Sequence, residues 1–138
     1  MSQRGGSVSC YVKIGDFYAP AIDEGQADLL IALESIEALR NVQYLKKNEG
    51  TIVVNADAKF PKLDFATFTI DAFSKAKKKE FPIDALNVYM LGATLALDPH
   101  FPFTCKEIEE AITQMNAKVA QKNIAVLHQG INDAKANA

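Results

Sequence analysis

The chain has 138 residues, of which 49% are hydrophobic and 23% charged, with a formal net charge of -2. That length suits one domain able to bury a real core. The near-neutral balance points to neither nucleic acid nor an anionic membrane surface. No apolar run reaches the roughly 18 residues that mark a transmembrane helix, and no signal-peptide pattern opens the chain. A cytoplasmic location is therefore the default expectation.

In chain order, residues 7–14, "SVSCYVKI", alternate. Val8, Cys10, Val12 and Ile14 share one face, which predicts a half-buried strand. Gly15-Asp16 suits a two-residue hairpin turn, and Pro20 ends the second strand of that hairpin. Residues 28–34, "DLLIALE", carry a continuous apolar run instead, the pattern of a strand buried on both faces of a parallel sheet. A helix follows over 35–47, with Ile36, Leu39, Val42 and Leu45 expected on its inner side. "TIVVN" at 51–55 is a second buried strand. Residues 28–55 thus read as a β-α-β unit.

"FATFTIDA" at 65–72 is a third strand, reached by a short irregular connection that is too brief for a full helical crossover. "FSKAKKKEFP" is weakly helical and basic. Asp84 is placed to cap "ALNVYMLGATLAL", a helix apolar almost all round and therefore buried. Gly92 costs about 1 kcal/mol against alanine there, so close packing is expected to compensate. Thr104-Cys105-Lys106-Glu107 fits a capping box, with Phe103 and Ile108 placed for a hydrophobic staple. Ile108, Ala111, Ile112 and Met115 should face inward, with a break near Asn116. Val119, Ile124, Leu127 and Ile131 continue helically, and the tail "NDAKANA" should fray.

In an open α/β sheet, ligands lie beyond the carboxyl ends of the strands. Glu34 and Asn55 fall at such ends. Each either points into the crevice or caps the turn or helix after it. Asn87 is either a satisfied core amide or a group aimed at the same crevice. Arg4 beside Gly5-Gly6 offers a guanidinium and bare backbone N–H groups to an anion, or belongs to a solvated terminus. Lys75, Lys77, Lys78 and Lys79 bind phosphates or form a solvated face. The two cysteines, Cys10 and Cys105, are far apart in sequence and read as two buried free thiols, with a disulfide as the alternative. Neither histidine, His100 or His128, has metal-ligand spacing or a neighbouring nucleophile. No catalytic constellation and no metal site is expected from spacing.

The opening "MSQRGGSVSCYVKIG" resembles the "GMSQRGGSV…V+IG" block of the gamma domain of 2-oxoacid:ferredoxin oxidoreductases. The resemblance is strongest to the beta subunit of indolepyruvate:ferredoxin oxidoreductase. Residues 25–40, "GQADLLIALESIEALR", match the family's "GEADLLLALEPLEALR". Ala19-Pro20, "YLK" at 44–46, "TIVVN" at 51–55, "NVYMLGA" at 87–93 and Asn123…Gly130 also correspond.

The resemblance implies a three-layer, Rossmann-like α/β fold, mostly parallel with an N-terminal hairpin and C-terminal helices, in one domain over 1–138. It implies a subunit of an enzyme that oxidatively decarboxylates 2-oxoacids, joins the acyl group to coenzyme A and passes electrons to ferredoxin. Thiamine diphosphate and iron–sulfur clusters then belong to a catalytic partner subunit. Coenzyme A is a co-substrate, and this chain holds no cofactor itself. Gln3, Arg4, Gly5, Gly6 and Ser7 would line the coenzyme A approach or the subunit interface, while Glu34, Asn55 and Asn87 shape the crevice. The family's upstream strand and "GxGGQG" turn do not precede Met1, so a shortened domain is expected, and the stretch from Asn55 to Phe65 is shorter than usual. A homodimer stays open. The alternative is a non-catalytic Rossmann-like binding or assembly module.

Overall fold

A computed structural model describes residues 8–137. Three strands form one parallel sheet in the order β1-β2-β3: β1 (Leu29–Ala32), β2 (Thr51–Asn55) and β3 (Ala66–Ile70). Leu29 pairs with Thr51, and Thr51 with Ala66, so the carboxyl ends of all three strands lie together. Helix α1 (Ser35–Asn41) and a 3-10 turn (Val42–Tyr44) join β1 to β2, as the β-α-β reading requires. Residues 56–65 join β2 to β3 without a helix. Phe60, Leu63 and Phe65 from that connection cover the sheet face where a crossover helix would otherwise lie.

Alternation along β2 divides the core. Ile52 and Val54 point to one face, where they pack with Ala38 of α1 and with Leu45. Val53 points to the other, toward α2 (Ala72–Lys77), α3 (Leu86–Leu97) and α5 (Ala120–Ala136). All three side chains are fully buried. Both faces of the sheet are therefore covered, giving the three layers expected. β1 departs from the expectation of full burial. Its residues Leu29 to Ile31 remain half-buried, because among the described residues it has a strand on one side only.

The expected N-terminal hairpin does not form: residues 8–20 contain no strand. Val8, Val12 and Ile14 are all exposed. Alternation identifies a potential face, but no described strand lies beside this segment to satisfy its backbone. Instead the Lys13 ammonium donates to the Ala19 carbonyl at 2.8 Å, and Tyr11 meets Tyr44 edge-to-face at 5.8 Å. Cys10 is exposed, not buried, and Cys105 is half-buried; both are free thiols.

Helix α1 turns differently from its pattern. Ala38 is its buried residue, while Ile36 and Leu39 face outward. A small side chain at the contact lets the short helix approach the sheet closely, and the bulkier residues fall to the rim. Asp84 lies inside a 3-10 turn (Ile83–Ala85) and caps nothing, because that turn starts α3 one residue later than the pattern implies. The side chain that does cap is Asp71, which accepts from Ser74 N at 3.1 Å at the start of α2.

Helices α3 and α5 pack backbone to backbone. Gly92 and Gly130 let them meet, and Tyr89, Met90, Ala93 and Leu127 are completely buried around the crossing. Tyr89 stacks on Phe81 at 4.3 Å and donates its hydroxyl to Asp133 at 2.7 Å. Burial, then the Asp133 carboxylate, raises the phenol far above its ordinary range.

Helix α4 (Cys105–Met115) starts with the predicted capping box: Glu107 N donates to the Thr104 hydroxyl at 3.2 Å, and Thr104 N donates to the Glu107 carboxylate at 3.0 Å. The break near Asn116 is present. The inward face is only half realised: Ile108 and Ile112 are half-buried, while Ala111 is exposed and Met115 is 86% exposed. Its packing partner among the described elements is α5, so half of its apolar stripe has nothing to rest on. The C-terminal helix runs on to Ala136 without the expected fraying. Thr104→Ala should cost about 1 kcal/mol, the usual loss for a missing cap. Because α4 packs chiefly on α5 and away from the sheet, hydrogen exchange should show the loss in the first turn of α4 and leave β2 protection unchanged.

Candidate functional site at the carboxyl ends of the strands

The parallel register brings Leu33-Glu34, Asn55 and Asp71 to one end of the sheet. Asn55 is the hub. Its Nδ2 donates to the Leu33 carbonyl at 3.0 Å, across from β2 to the end of β1. Its Oδ1 accepts from Ala72 N at 2.9 Å and Phe73 N at 3.2 Å, at the start of α2. One amide thus ties together the exits of all three strands. Its hydrogen-bonding groups face the scaffold.

Glu34 occupies the N-cap position of α1 but makes no capping hydrogen bond, and its carboxylate lies exposed. Asn87 is exposed on the first turn of α3, where its Oδ1 accepts from the adjacent Val88 N at 2.9 Å, so it is not a core amide. No hydrogen bond joins it to Asn55 or Glu34 among the described residues. Gln3, Arg4, Gly5, Gly6 and Ser7 lie outside the described residues. The basic run is only partly a solvated face. Lys75 sits 3.5 Å from the Asp133 carboxylate, and the Lys77 ammonium lies 4.7 Å from the centre of the Phe73 ring.

The feature that patterning misses is apolar. Leu33 and Phe73, held on either side of Asn55, are 42% and 48% exposed, and Ile36 in the first turn of α1 is 60% exposed. The rim is thus apolar, with the Glu34 carboxylate exposed on it and the Lys77 ammonium over the Phe73 ring. Leu33 and Phe73, apolar residues just beyond β1 and β3, are the signal the sequence offers, but the continuous apolar run draws Leu33 into the buried strand. Surface hollows elsewhere, between α4 and α5 and beside Phe81, include none of Glu34, Asn55 or Asn87.

A family model described as pyruvate ferredoxin/flavodoxin oxidoreductase matches residues 1–132. The chain belongs to this family. It is 36% identical to the indolepyruvate oxidoreductase subunit IorB of Archaeoglobus fulgidus, over 97% of this chain and 76% of that one. The IorB subunit of Thermococcus kodakarensis is 33% identical, over 98% and 77%. The first of these alignments is 156 positions long, so that relative has at least 18 residues that this 138-residue chain lacks within the matched span.

Among solved structures, the gamma subunit of a keto/oxoacid ferredoxin oxidoreductase from Geobacter sulfurreducens shares the fold. Its TM-score is 0.68 at 24% identity, over 81% of this chain and 66% of that one. The pyruvate oxidoreductase subunit PORC of Thermotoga maritima gives 0.57 at 23%, over 78% and 64%. In this oxidoreductase family member, the block at 25–40 builds β1, Glu34 and α1, and "TIVVN" builds β2 with its terminal Asn55. The segments that carried the resemblance therefore form most of the strand-end rim. No helix among the described residues is long and apolar enough to cross a membrane.

Neither the two cysteines nor, among the described residues, the start of α2 offers the donor set that an iron–sulfur cluster or a diphosphate takes. Iron–sulfur clusters are held by about four cysteine thiolates, and this chain has two cysteines in all, one of them beside Glu109 and His128. A diphosphate favours free N–H groups at a helix start. At α2 the N–H groups of Ala72 and Phe73 already face Asn55, and that of Ser74 faces Asp71.

Proposed function

We propose that this chain is a gamma-type subunit of a 2-oxoacid:ferredoxin oxidoreductase acting on an arylpyruvate such as indolepyruvate. The similarity to IorB subunits over 97% of the chain carries this reading. In that role it contributes surface and enclosure, while thiamine diphosphate and the iron–sulfur clusters reside on the catalytic partner. The reaction releases carbon dioxide from the 2-oxoacid, joins the acyl group to the coenzyme A sulfur and passes two electrons to ferredoxin.

The exposed Leu33, Ile36 and Phe73 are the contact rim on this reading, and Glu34 places one charge on it. Gln3, Arg4, Gly5, Gly6 and Ser7 line the coenzyme A approach or the subunit interface on the strength of their motif, and Asn55 and Asn87 border the crevice. An apolar rim of this kind is what the buried centre of a subunit interface needs, since charged residues are depleted there. The chain alone should be inactive. Added to a thiamine-bearing partner, it should raise arylpyruvate- and coenzyme A-dependent dye reduction well above the partner's own rate. No gain over the partner alone defeats the proposal.

A further inference from the structure

Away from the strand ends, three side chains of metal-binding type meet at the seam between α4 and α5. Cys105 and Glu109 are one turn apart on α4, and His128 reaches them from α5. Their sulfur, carboxylate oxygen and ring nitrogen all lie within 4.8 Å of one another. The Cys105 thiol donates to Glu109 Oε1 at 3.5 Å, and His128 Nε2 contacts that same oxygen. Sequence spacing gives no hint of this group, because His128 lies 19 residues beyond Glu109 and only the turn between the helices brings it back.

We propose that Cys105, Glu109 and His128 form a site for a zinc-like divalent cation that clamps α4 onto α5. The donor set is the argument. Sulfur, imidazole and one carboxylate select zinc over calcium and magnesium, which require oxygen ligands. Zinc–ligand bonds of about 2.0–2.3 Å place tetrahedral donors about 3.3–3.8 Å apart. Small side-chain rotations bring the present group to that spacing, and all three residues are at least partly accessible. On binding, the thiol proton leaves to solvent, and the cation replaces the two contacts that now converge on Glu109 Oε1. A fourth position stays open to water.

The clamp has a mechanical reason. None of the residues of α4 is buried, and its attachment is to α5. A cation held by two residues of one helix and one of the other fastens α4, which has no buried residue, to α5, which buries Val126, Leu127 and Gly130.

Titrating the reduced full chain with cobalt(II) tests this. One equivalent should bind and give a thiolate-to-cobalt charge-transfer band that zinc then removes. Cys105→Ser should abolish the band, and Cys10→Ser should leave it intact. Glu109→Gln and His128→Gln should each weaken binding at least about tenfold, since even lost outer partners cost metal sites that much. Zinc should raise the unfolding midpoint of the native chain and not that of the Cys105→Ser/His128→Gln double variant. Saturable binding that lacks the band or survives these substitutions overturns the proposal. So does the absence of saturable binding, which would leave the fastening to the Glu109–His128 pair.

Discussion

Gly130→Ala should lower the unfolding midpoint by about 10 °C. A Cβ built at Gly130 would stand 2.1 Å from the Tyr89 carbonyl oxygen and 3.1 Å from Ala93 N. One at Gly92 would stand 2.1 Å from the Leu127 oxygen and 3.2 Å from Ile131 N. The two positions are reciprocal halves of one crossing. Both obstacles are backbone, so no side chain can rotate away, and α3 and α5 must separate. Separation loosens Tyr89, Met90, Ala93 and Leu127, all of which are fully buried. Overpacking costs typically 1–3 kcal/mol and occasionally more; with immovable backbone on both sides a cost of about 4 kcal/mol is expected, against roughly 1 kcal/mol regained by alanine's helix propensity. A net loss of about 3 kcal/mol corresponds to about 10 °C for a chain of this size. Gly92→Ala should behave alike, and the double variant should lose less than twice as much, because the first substitution has already parted the helices. Thermal melts by circular dichroism decide it. An unchanged or higher midpoint would show that the crossing tolerates a methyl group, and so is looser than these distances imply.

The same pair shows what sequence can and cannot reveal. A glycine inside a helix that is apolar all round is costly, so its presence at 92 already signals close packing. Its partner at 130 is invisible, since nothing local marks which helix comes near. The buried strand β2, the parallel β-α-β unit, the helix-free connection over 56–65 and the Thr104 capping box are likewise legible, because each follows from local pattern or length. Misjudged faces share one cause. Alternation at 8–14 and the stripe on α4 describe surfaces that could be buried, while burial needs a neighbour that patterning does not supply. On α1, periodicity favours the large Ile36 and Leu39 over Ala38, yet close approach to the sheet selects the small residue. The Cys105, Glu109 and His128 group depends on how two helices fold back, and so is beyond reach from spacing.

Asn55 is where scaffold and site coincide, and Asn55→Ala is the second large effect expected. The substitution removes a donor to Leu33 O and the shared acceptor for Ala72 N and Phe73 N. Ala72 is fully buried, so water does not readily replace its lost partner. An unsatisfied buried group costs about 1–3 kcal/mol, and three bonds end on this one amide. A total near 3 kcal/mol is expected, with the largest rise in hydrogen exchange at Ala72 and Phe73. Asn55→Asp keeps the acceptor for both N–H groups but turns an oxygen toward the Leu33 carbonyl. It should therefore protect the start of α2 and still release the end of β1. That split separates the two halves of the hub, and it also reaches function. Leu33 and Phe73 stand on the exposed rim because Asn55 holds their backbones. Either variant should then weaken the stimulation of the catalytic partner even at temperatures where the chain is fully folded. Full stimulation by Asn55→Ala, with stability changed by less than about 0.5 kcal/mol, would show that the rim is held by packing alone and that the amide is incidental.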